Sequence, residues 1–163
     1  IAKLYTELFR ATPILITLMF IYFGVSYFGY SINEFAAGVI GMSVYQGAYI
    51  SEIFRSGIEA VPKGQWEVSQ ILGLTRTQAF FSVVLPQTRK IVLPPLIGQY
   101  LSLIKDTSIV SMIGLSELMR GGQGIVDRIG KPIEIYALVA ALYFIVCFPL
   151  SQWVRHHDRR SLS

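Results

Sequence analysis

The chain has 163 residues, of which 53% are hydrophobic and 15% charged, and it carries a formal net charge of +4. Soluble domains carry about 25% charged residues, so this balance and a mean hydropathy of +0.53 argue against a soluble enzyme and for a membrane protein. The length fits one domain, residues 1–163. The single cysteine, Cys147, excludes an internal disulfide. Basic residues flank apolar blocks and form no stripe with aromatics, so nucleic acid is not an expected partner.

The first two apolar runs predict a helical hairpin across the membrane. Residues 11–33 carry no charge, and about 20 apolar residues suffice for a membrane-spanning helix. A second uncharged run, 35–51, follows a turn at 31–34. Small residues recur in this second run at helical spacing, which allows membrane helices to pack closely. They are Ala37, Gly41, Ser43, Gly47 and Ser51.

The segment 52–90 is charged and amphipathic, so we expect it outside the membrane. Glu52, Arg55 and Glu59 are three and four residues apart, a spacing that favours ion pairs on a helix surface. We expect Pro62, Lys63 and Gly64 to break this helix.

A helix–turn–helix is predicted for the rest of this segment. A short helix is expected at 65–72, with Val68, Ile71 and Leu72 on one side and Gly73 as its C-terminal cap. Thr75 and Gln78 then have the spacing of a capping box, which predicts the start of a second helix.

Two more spans follow, which gives about four in all. Residues 80–104 are long enough to cross the membrane as a helix kinked at Pro94–Pro95. The 20 residues 135–154 carry no charge and are expected to form the last span. Between them, the mixed segment 105–134, with an apolar stretch at 109–115, is predicted to be partly re-entrant or interfacial.

The distribution of basic residues predicts the orientation. Ten of the fourteen fall on one side if both ends and the loop 52–90 share it, and the other side keeps Lys105, Arg120, Arg128 and Lys131. The positive-inside rule makes the first side cytoplasmic.

Signals for an enzyme or a metal site are weak. Residues 120–124, RGGQG, are similar to the signature loop of transport ATPases, but the chain has no GxxxxGK[ST] phosphate-binding string and is expected to bind no ATP. His156 and His157 are adjacent, so they do not share a helix face and are not expected to bind a metal. No catalytic set of nucleophile and base is recognisable, and no cofactor is expected.

The most specific pattern lies in the cytoplasmic loop. Glu67-Val68-Ser69, then Gly73, and then Val83-Val84-Leu85-Pro86 reproduce the spacing E-A-A-x3-G-x9-I-x-L-P. This pattern resembles the loop that defines the membrane subunits of bacterial ABC importers. The chain departs from it at Val68, Ser69 and Val83, and we interpret these three positions as tolerant of side chains of different size.

The resemblance continues along the whole chain. Further segments resemble the polar amino acid branch, the histidine/glutamine permease family: they are 7–13 (ELFRATP), 21–24 (IYFG), 47–58 (GAYISEIFRSGI), 62–67 (PKGQWE), 85–87 (LPQ), 93–95 (LPP) and 105–108 (KDTS). The family has the type I ABC importer permease fold, usually with five spans. The chain therefore looks as if the family's first span is missing.

The resemblance implies the function of a transport subunit and not of an enzyme. Two such subunits, identical or sister, would pair in the bacterial inner membrane and receive substrate from an extracytoplasmic amino acid-binding protein. Two cytoplasmic ATP-binding subunits, which use the ATP, would grip a coupling helix in the loop 55–90 at Trp66, Glu67, Gly73 and Leu74. Transport would proceed by alternating access.

The resemblance also implies a substrate path, with Gly98, Gln99 and Thr107 as its candidate residues. Gln99 lies in an otherwise apolar span, and its neutral amide favours a neutral or acidic polar amino acid, glutamine first. An interhelical hydrogen bond is an equally good interpretation of Gln99.

Two other classes of membrane protein remain as alternatives. An ion-coupled transporter or channel tends to carry ionisable residues at membrane depth, and the runs 11–33, 35–51 and 135–154 contain none. A structural anchor would leave the elaborate loop unexplained.

The orientation can be tested by labelling single cysteines in a Cys147→Ala background. Cysteines at positions 64 and 161 should react only from the cytoplasmic side, and one at position 33 only from outside, because the basic residues divide ten to four. Reaction of position 64 with an impermeant reagent added outside would overturn this topology.

Overall fold

The computed structural model describes the backbone of residues 2–161 and the side chains of residues 2–152. In that part of the chain every regular element is helical, as predicted. The elements are α1 (Ala2–Ala11), α2 (Ile14–Tyr27), α3 (Glu34–Glu59), α4 (Lys63–Ile71), α5 (Arg76–Ala79), a π-helical stretch (Phe80–Val84), α6 (Leu85–Asp106), a 3₁₀ helix (Thr107–Ile113), α7 (Leu118–Ile129) and α8 (Pro132–Ser161).

Helix α8 carries the strongest membrane-spanning signal. Its stretch Pro132–Gln152 has 21 residues and a hydropathy of 2.2, and only 6% of it is buried inside the protein. This agrees with the last predicted span. Among the described residues, no other single helix is both long and apolar enough, although α1 and α2 qualify if the bent pair counts as one span. The total of four spans stays a prediction.

The uncharged run 11–33 is not one helix, which corrects the sequence prediction. Helix α2 has 14 residues, or about 21 Å at 1.5 Å per residue, whereas the hydrocarbon core is about 30 Å thick. Pro13 precedes α2 with an extended backbone, and α1 meets α2 there at 105°. Beyond α2, Gly29 adopts a φ of +83° that favours glycine, so the chain has left the helix. Proline and glycine therefore set the ends of α2.

The second predicted span is the first part of a longer helix. Helix α3 has 26 residues, and the Asn33 side chain caps it by accepting the Ala36 N–H at 2.7 Å. The predicted turn thus ends at this cap, and α3 runs about 39 Å to Glu59, past the uncharged run.

Glycines on α3 bring three neighbouring elements close. A Cβ at Gly41 would lie 2.6 Å from Leu18 on α2, and one at Gly38 would lie 2.8 Å from Val110 on the 3₁₀ helix. A Cβ at Gly57 would overlap Val92 on α6. The predicted close packing is confirmed at Gly41, whereas Gly38 and Gly57 were not predicted and the predicted Ser43 and Ser51 are exposed.

The buried core lies between α2, α3 and the 3₁₀ helix. Its members are Ile14, Leu18, Ala37, Val110 and Ile113. The apolar stretch 109–115, predicted to be re-entrant or interfacial, therefore supplies core residues. Farther along the segment 105–134, residues 118–129 form α7.

Helix α6 overlaps most of the predicted third span, 80–104. The chain is helical from Arg76 to Asp106, and Pro94 and Pro95 lie inside α6. The change in helix type occurs earlier, in the π-helical stretch, whose wider turns accommodate an additional residue.

Replacement of Gly57 by alanine should destabilise the protein. The new methyl group would meet Val92, and overpacking of this kind costs about 1–3 kcal/mol. Gly24→Ala is the matched control, because Gly24 lies inside α2 and a Cβ added there would meet no heavy atom within 4 Å. Thermal unfolding of the detergent-solubilised protein should show a lower midpoint for Gly57→Ala alone. Equal midpoints would contradict the close contact.

Candidate functional site

The loop 55–90 holds α4 in place through one buried serine and one glutamine. Ser69 is 2% exposed, and its Oγ donates to the Gln65 carbonyl at 2.6 Å. From α6, Gln87 Nε2 donates to Gln65 Oε1 at 3.3 Å and to the Val83 carbonyl at 2.9 Å. The position of α4 is thus linked to the start of α6.

The ends of α4 follow local rules. Gly73 has a φ of +76°, and the N–H groups of Gly73 and Leu74 donate to the carbonyls of Gln70 and Ser69, both at 3.0 Å. The predicted glycine cap is therefore confirmed. The predicted start of α4 is wrong by two residues, because the helix begins at Lys63 and not at Gln65. Pro62 lies just before the helix, and the N–H groups of the first turn need no partner within the helix, so Lys63 and Gly64 can be helical.

The turn after α4 leads directly into α5. Thr75 and Gln78 form the predicted capping box, with the Thr75 N–H donating to Gln78 Oε1 at 2.9 Å and the Gln78 N–H to Thr75 Oγ1 at 3.3 Å. This confirms the predicted helix–turn–helix.

The apolar side of α4 faces outward. Val68, Ile71 and Leu72 are 55%, 83% and 72% exposed, and Glu67 beside them is also exposed. No cation among the described side chains lies within ion-pair distance of Glu67. These four residues form a docking face, apolar with one free negative charge. A helix that packed this side inward would hide it, so the docking face is suited to a partner.

The other residues predicted for coupling lie around the docking face. Leu74 is half-buried, and Gly73 is exposed. Trp66, also half-buried, lines an open groove of about 500 Å³, together with Gln70, Arg76, Thr77 and Phe80. The structure therefore brings Trp66, Glu67, Gly73 and Leu74 to one region of the surface.

A charge cluster of Arg10, Glu52, Arg55 and Glu59 ties α1 to α3. Arg55 contacts Glu52 at 2.5 Å and Glu59 at 2.6 Å, which confirms the predicted ion pairs, and Arg10 lies 3.4 Å from Glu52. The hydrogen bonds from Arg55, followed by the charges of Arg55 and Arg10, lower the pKa of Glu52 despite partial desolvation. Glu52 therefore stays ionised near neutral pH. Arg10 escaped prediction because it is distant in sequence.

Inside the helical body, Gln99, Gln46 and Asp106 form a polar chain. Gln99 Nε2 donates to Gln46 Oε1, and Gln46 Nε2 donates to Asp106 Oδ2 at 3.2 Å. Gln46 is only 4% exposed. The interhelical hydrogen bond considered for Gln99 is thus present. Sequence reasoning missed Gln46, although a lone amide in the uncharged run 35–51 was a signal that could have found it.

The other two residues predicted for the substrate path take no part in the hydrogen bonds of the polar chain. Gly98 and Thr107 are exposed, and Thr107 Oγ1 donates to the carbonyl of Ile104 at 2.7 Å. The void beside Gln99 measures about 10 Å³, roughly the volume that one water needs. Next to it, a larger groove of about 710 Å³ runs between α3 and α6 from Leu85 to Leu96.

The remaining sequence candidates have structural explanations or lie outside the described part of the chain. Residues 120–124 are part of helix α7, where a Cβ at Gly122 would lie 2.6 Å from Val139, so these glycines form no phosphate loop. Among the described residues, no three His, Cys, Asp or Glu side chains are grouped to hold a metal. The side chains of His156 and His157 lie outside the described residues.

Comparison with known proteins gives a consistent result. All of residues 1–163 match the family described as "Binding-protein-dependent transport system inner membrane component". The L-cystine transport system permease protein TcyB of Bacillus subtilis (strain 168) is 40% identical over 161 residues, covering 98% of this chain and 68% of TcyB. The glutamine transport system permease protein GlnP of Escherichia coli (strain K12) is 38% identical over 162 residues, covering 98% and 74%.

A solved structure supports the same relationship. The crystal structure of an amino acid ABC transporter with histidines matches with a TM-score of 0.92 and 37% identity, over 97% of this chain and 74% of that one. The chain thus spans about two thirds to three quarters of the length of these relatives. The matches confirm the resemblance to amino acid permeases, which are transport subunits and not enzymes.

Replacement of Ser69 by leucine should loosen α4. The larger side chain does not fit at a position that is 2% exposed, whereas Ser69→Ala loses only one hydroxyl hydrogen bond and Val68→Leu enlarges an exposed side chain. Hydrogen–deuterium exchange of the amides 63–71 should accelerate by about tenfold or more in Ser69→Leu, since opening then costs less free energy. Unchanged exchange would contradict the packing at Ser69, and the two control variants should stay near wild type.

Proposed function

Because the chain belongs to the inner membrane components of binding-protein-dependent transport systems, we propose that it is the membrane-spanning subunit of an ATP-driven importer for a polar amino acid. The docking face on α4 is the observation that carries this proposal. An exposed apolar helix face with one unpaired carboxylate is suited to insertion in a groove of a cytoplasmic partner. The partners we propose are ATP-binding subunits that hydrolyse the ATP.

The contacts of α4 explain how a partner could move the membrane part. Gln87 links α4 to the start of α6, and α6 contacts α3 closely where Gly57 meets Val92. A displacement of α4 is therefore transmitted to two long helices and not absorbed by a flexible loop. We propose alternating access, in which ATP binding favours one arrangement of the permease because the ATPase has different affinities for the two states.

The assembly we propose contains more than this chain. A second permease copy or a sister permease completes the path, since the void beside Gln99 is too small for an amino acid. An extracytoplasmic binding protein delivers the substrate. We propose that four spans cross the bacterial inner membrane with both ends of this chain cytoplasmic.

The substrate we propose is a polar amino acid, with glutamine first. Gln99 supplies an uncharged amide, with Gly98 and Thr107 as further residues of the path. The names of relatives support the class and not the individual compound, because TcyB is a cystine permease and GlnP a glutamine permease.

Two substitutions in the loop test the coupling role. Glu67→Lys reverses the charge of the docking face, and Gly73→Pro imposes a φ near −65° where the chain adopts +76°. In proteoliposomes containing the complete transporter, both variants should lose most ATP-driven glutamine uptake while membrane levels stay normal.

The controls are Glu134→Lys, a charge reversal at the start of α8, and Gly64→Ala, at an open position in α4. Both should transport like wild type. Full uptake by both Glu67→Lys and Gly73→Pro would remove the coupling role from α4.

A further inference from the structure

The polar chain has a defined direction. Burial raises the pKa of Asp106, while the hydrogen bond from Gln46 and the charge of Lys105 oppose this shift. In its ionised form the Asp106 carboxylate can only accept hydrogen bonds, so the amide of Gln46 turns its Nε2 toward Asp106. The carbonyl oxygen of Gln46 then faces Gln99 and can only accept, so the Gln99 amide must also present its Nε2 to Gln46. One carboxylate therefore sets the orientation of two amides.

This direction determines what Gln99 offers on its free side. Among the described side chains nothing donates to Gln99 Oε1, and only one N–H of its amide is used by Gln46. In the observed orientation Gln99 presents a carbonyl acceptor and one N–H. If the amide flipped, both remaining groups on the free side would be N–H donors.

We propose that Asp106 and Gln46 are positioning residues that hold the Gln99 carbonyl toward the substrate path and thereby favour glutamine over glutamate. This inference rests on the proposed function, in which Gln99 lines that path. Glutamine and glutamate have nearly the same shape, but the side-chain amide of glutamine can donate to the Gln99 carbonyl. The carboxylate of glutamate can accept the remaining N–H of Gln99, but it cannot donate to the Gln99 carbonyl, which would then face another acceptor.

The size of the effect follows from the cost of unmatched polar groups. An acceptor that is left facing a carboxylate loses a hydrogen bond and gains repulsion, which corresponds to a preference for glutamine of about tenfold. A flexible Gln99 amide could serve either substrate, so loss of the polar chain should reduce the preference and not abolish binding.

The test measures selectivity without the binding protein, which has a selectivity of its own. The permease–ATPase complex in nanodiscs is loaded with labelled glutamine, and the concentrations of unlabelled glutamine and glutamate that displace it are compared. We expect a glutamate-to-glutamine ratio of about ten in wild type. Asp106→Asn, which can donate or accept, and Gln46→Leu should each lower this ratio by about threefold or more.

Conservative variants separate positioning from general damage. Asp106→Glu keeps an acceptor at the end of the polar chain and should keep the ratio. Tyr5→Phe removes the hydrogen bond from the Tyr5 hydroxyl to the Val44 carbonyl, which involves no member of the polar chain, and should keep the ratio as well. A variant that is only less stable would bind less of both amino acids at an unchanged ratio.

Gln99→Ala distinguishes the two possible failures. If it leaves the displacement by both amino acids unchanged, or if wild type binds no glutamine, Gln99 is a packing residue and the proposed path fails. If Gln99→Ala weakens glutamine binding but Asp106→Asn and Gln46→Leu keep the wild-type ratio, the path stands and the positioning role of Asp106 and Gln46 is wrong.

Discussion

The close approach of other elements to α3 is the constraint on which the rest of the structure depends. At Gly38, Gly41 and Gly57 the neighbouring side chain occupies the space in which a Cβ would lie. In lipid, apolar surface gains little from hiding against another helix, so van der Waals contact over a close interface must supply the stability. Helix α3 can serve as the centre of the fold because its contact surface lacks side chains at these three points.

The same helix connects the features assigned to function. Near its charged end, Glu52 contacts Arg10 of α1, and farther along, Gln46 contacts Gln99 and Asp106 of α6. The loop that follows α3 carries the docking face and returns through Gln87 to α6. A partner on α4 and a substrate beside Gln99 would thus act on the same pair of packed helices. Coupling between them requires no long-range mechanism beyond the rigidity of α3 and α6.

Local chemistry was readable from the sequence, and contacts between distant residues were not. The Gly73 cap, the Thr75 capping box and the Arg55 ion pairs depend on residues three or four apart, so their spacing alone predicted them. The end of α2 at Tyr27 was missed because an uncharged run identifies a segment that is compatible with the membrane. It does not identify the residue at which a helix within that segment ends. The Arg10–Glu52 and Gln46–Asp106 contacts join residues 42 and 60 positions apart, and no local pattern encodes them.

The outward apolar side of α4 shows a further limit of sequence periodicity. Spacing identifies which residues share a helix face, but not whether that face turns toward the core or toward solvent.

The π-helical stretch Phe80–Val84 also affects which way a helix face points. In an α-helix each residue advances the azimuth by about 100°, and a π turn takes up one extra residue without that rotation. The stretch therefore offsets the faces of α5 from those of α6, so residues before and after it do not follow one continuous α-helical pattern. It lets the loop keep its own register while Thr88, Val92 and Gln99 point toward α3, so the pattern of α5 does not dictate which face α6 turns to α3.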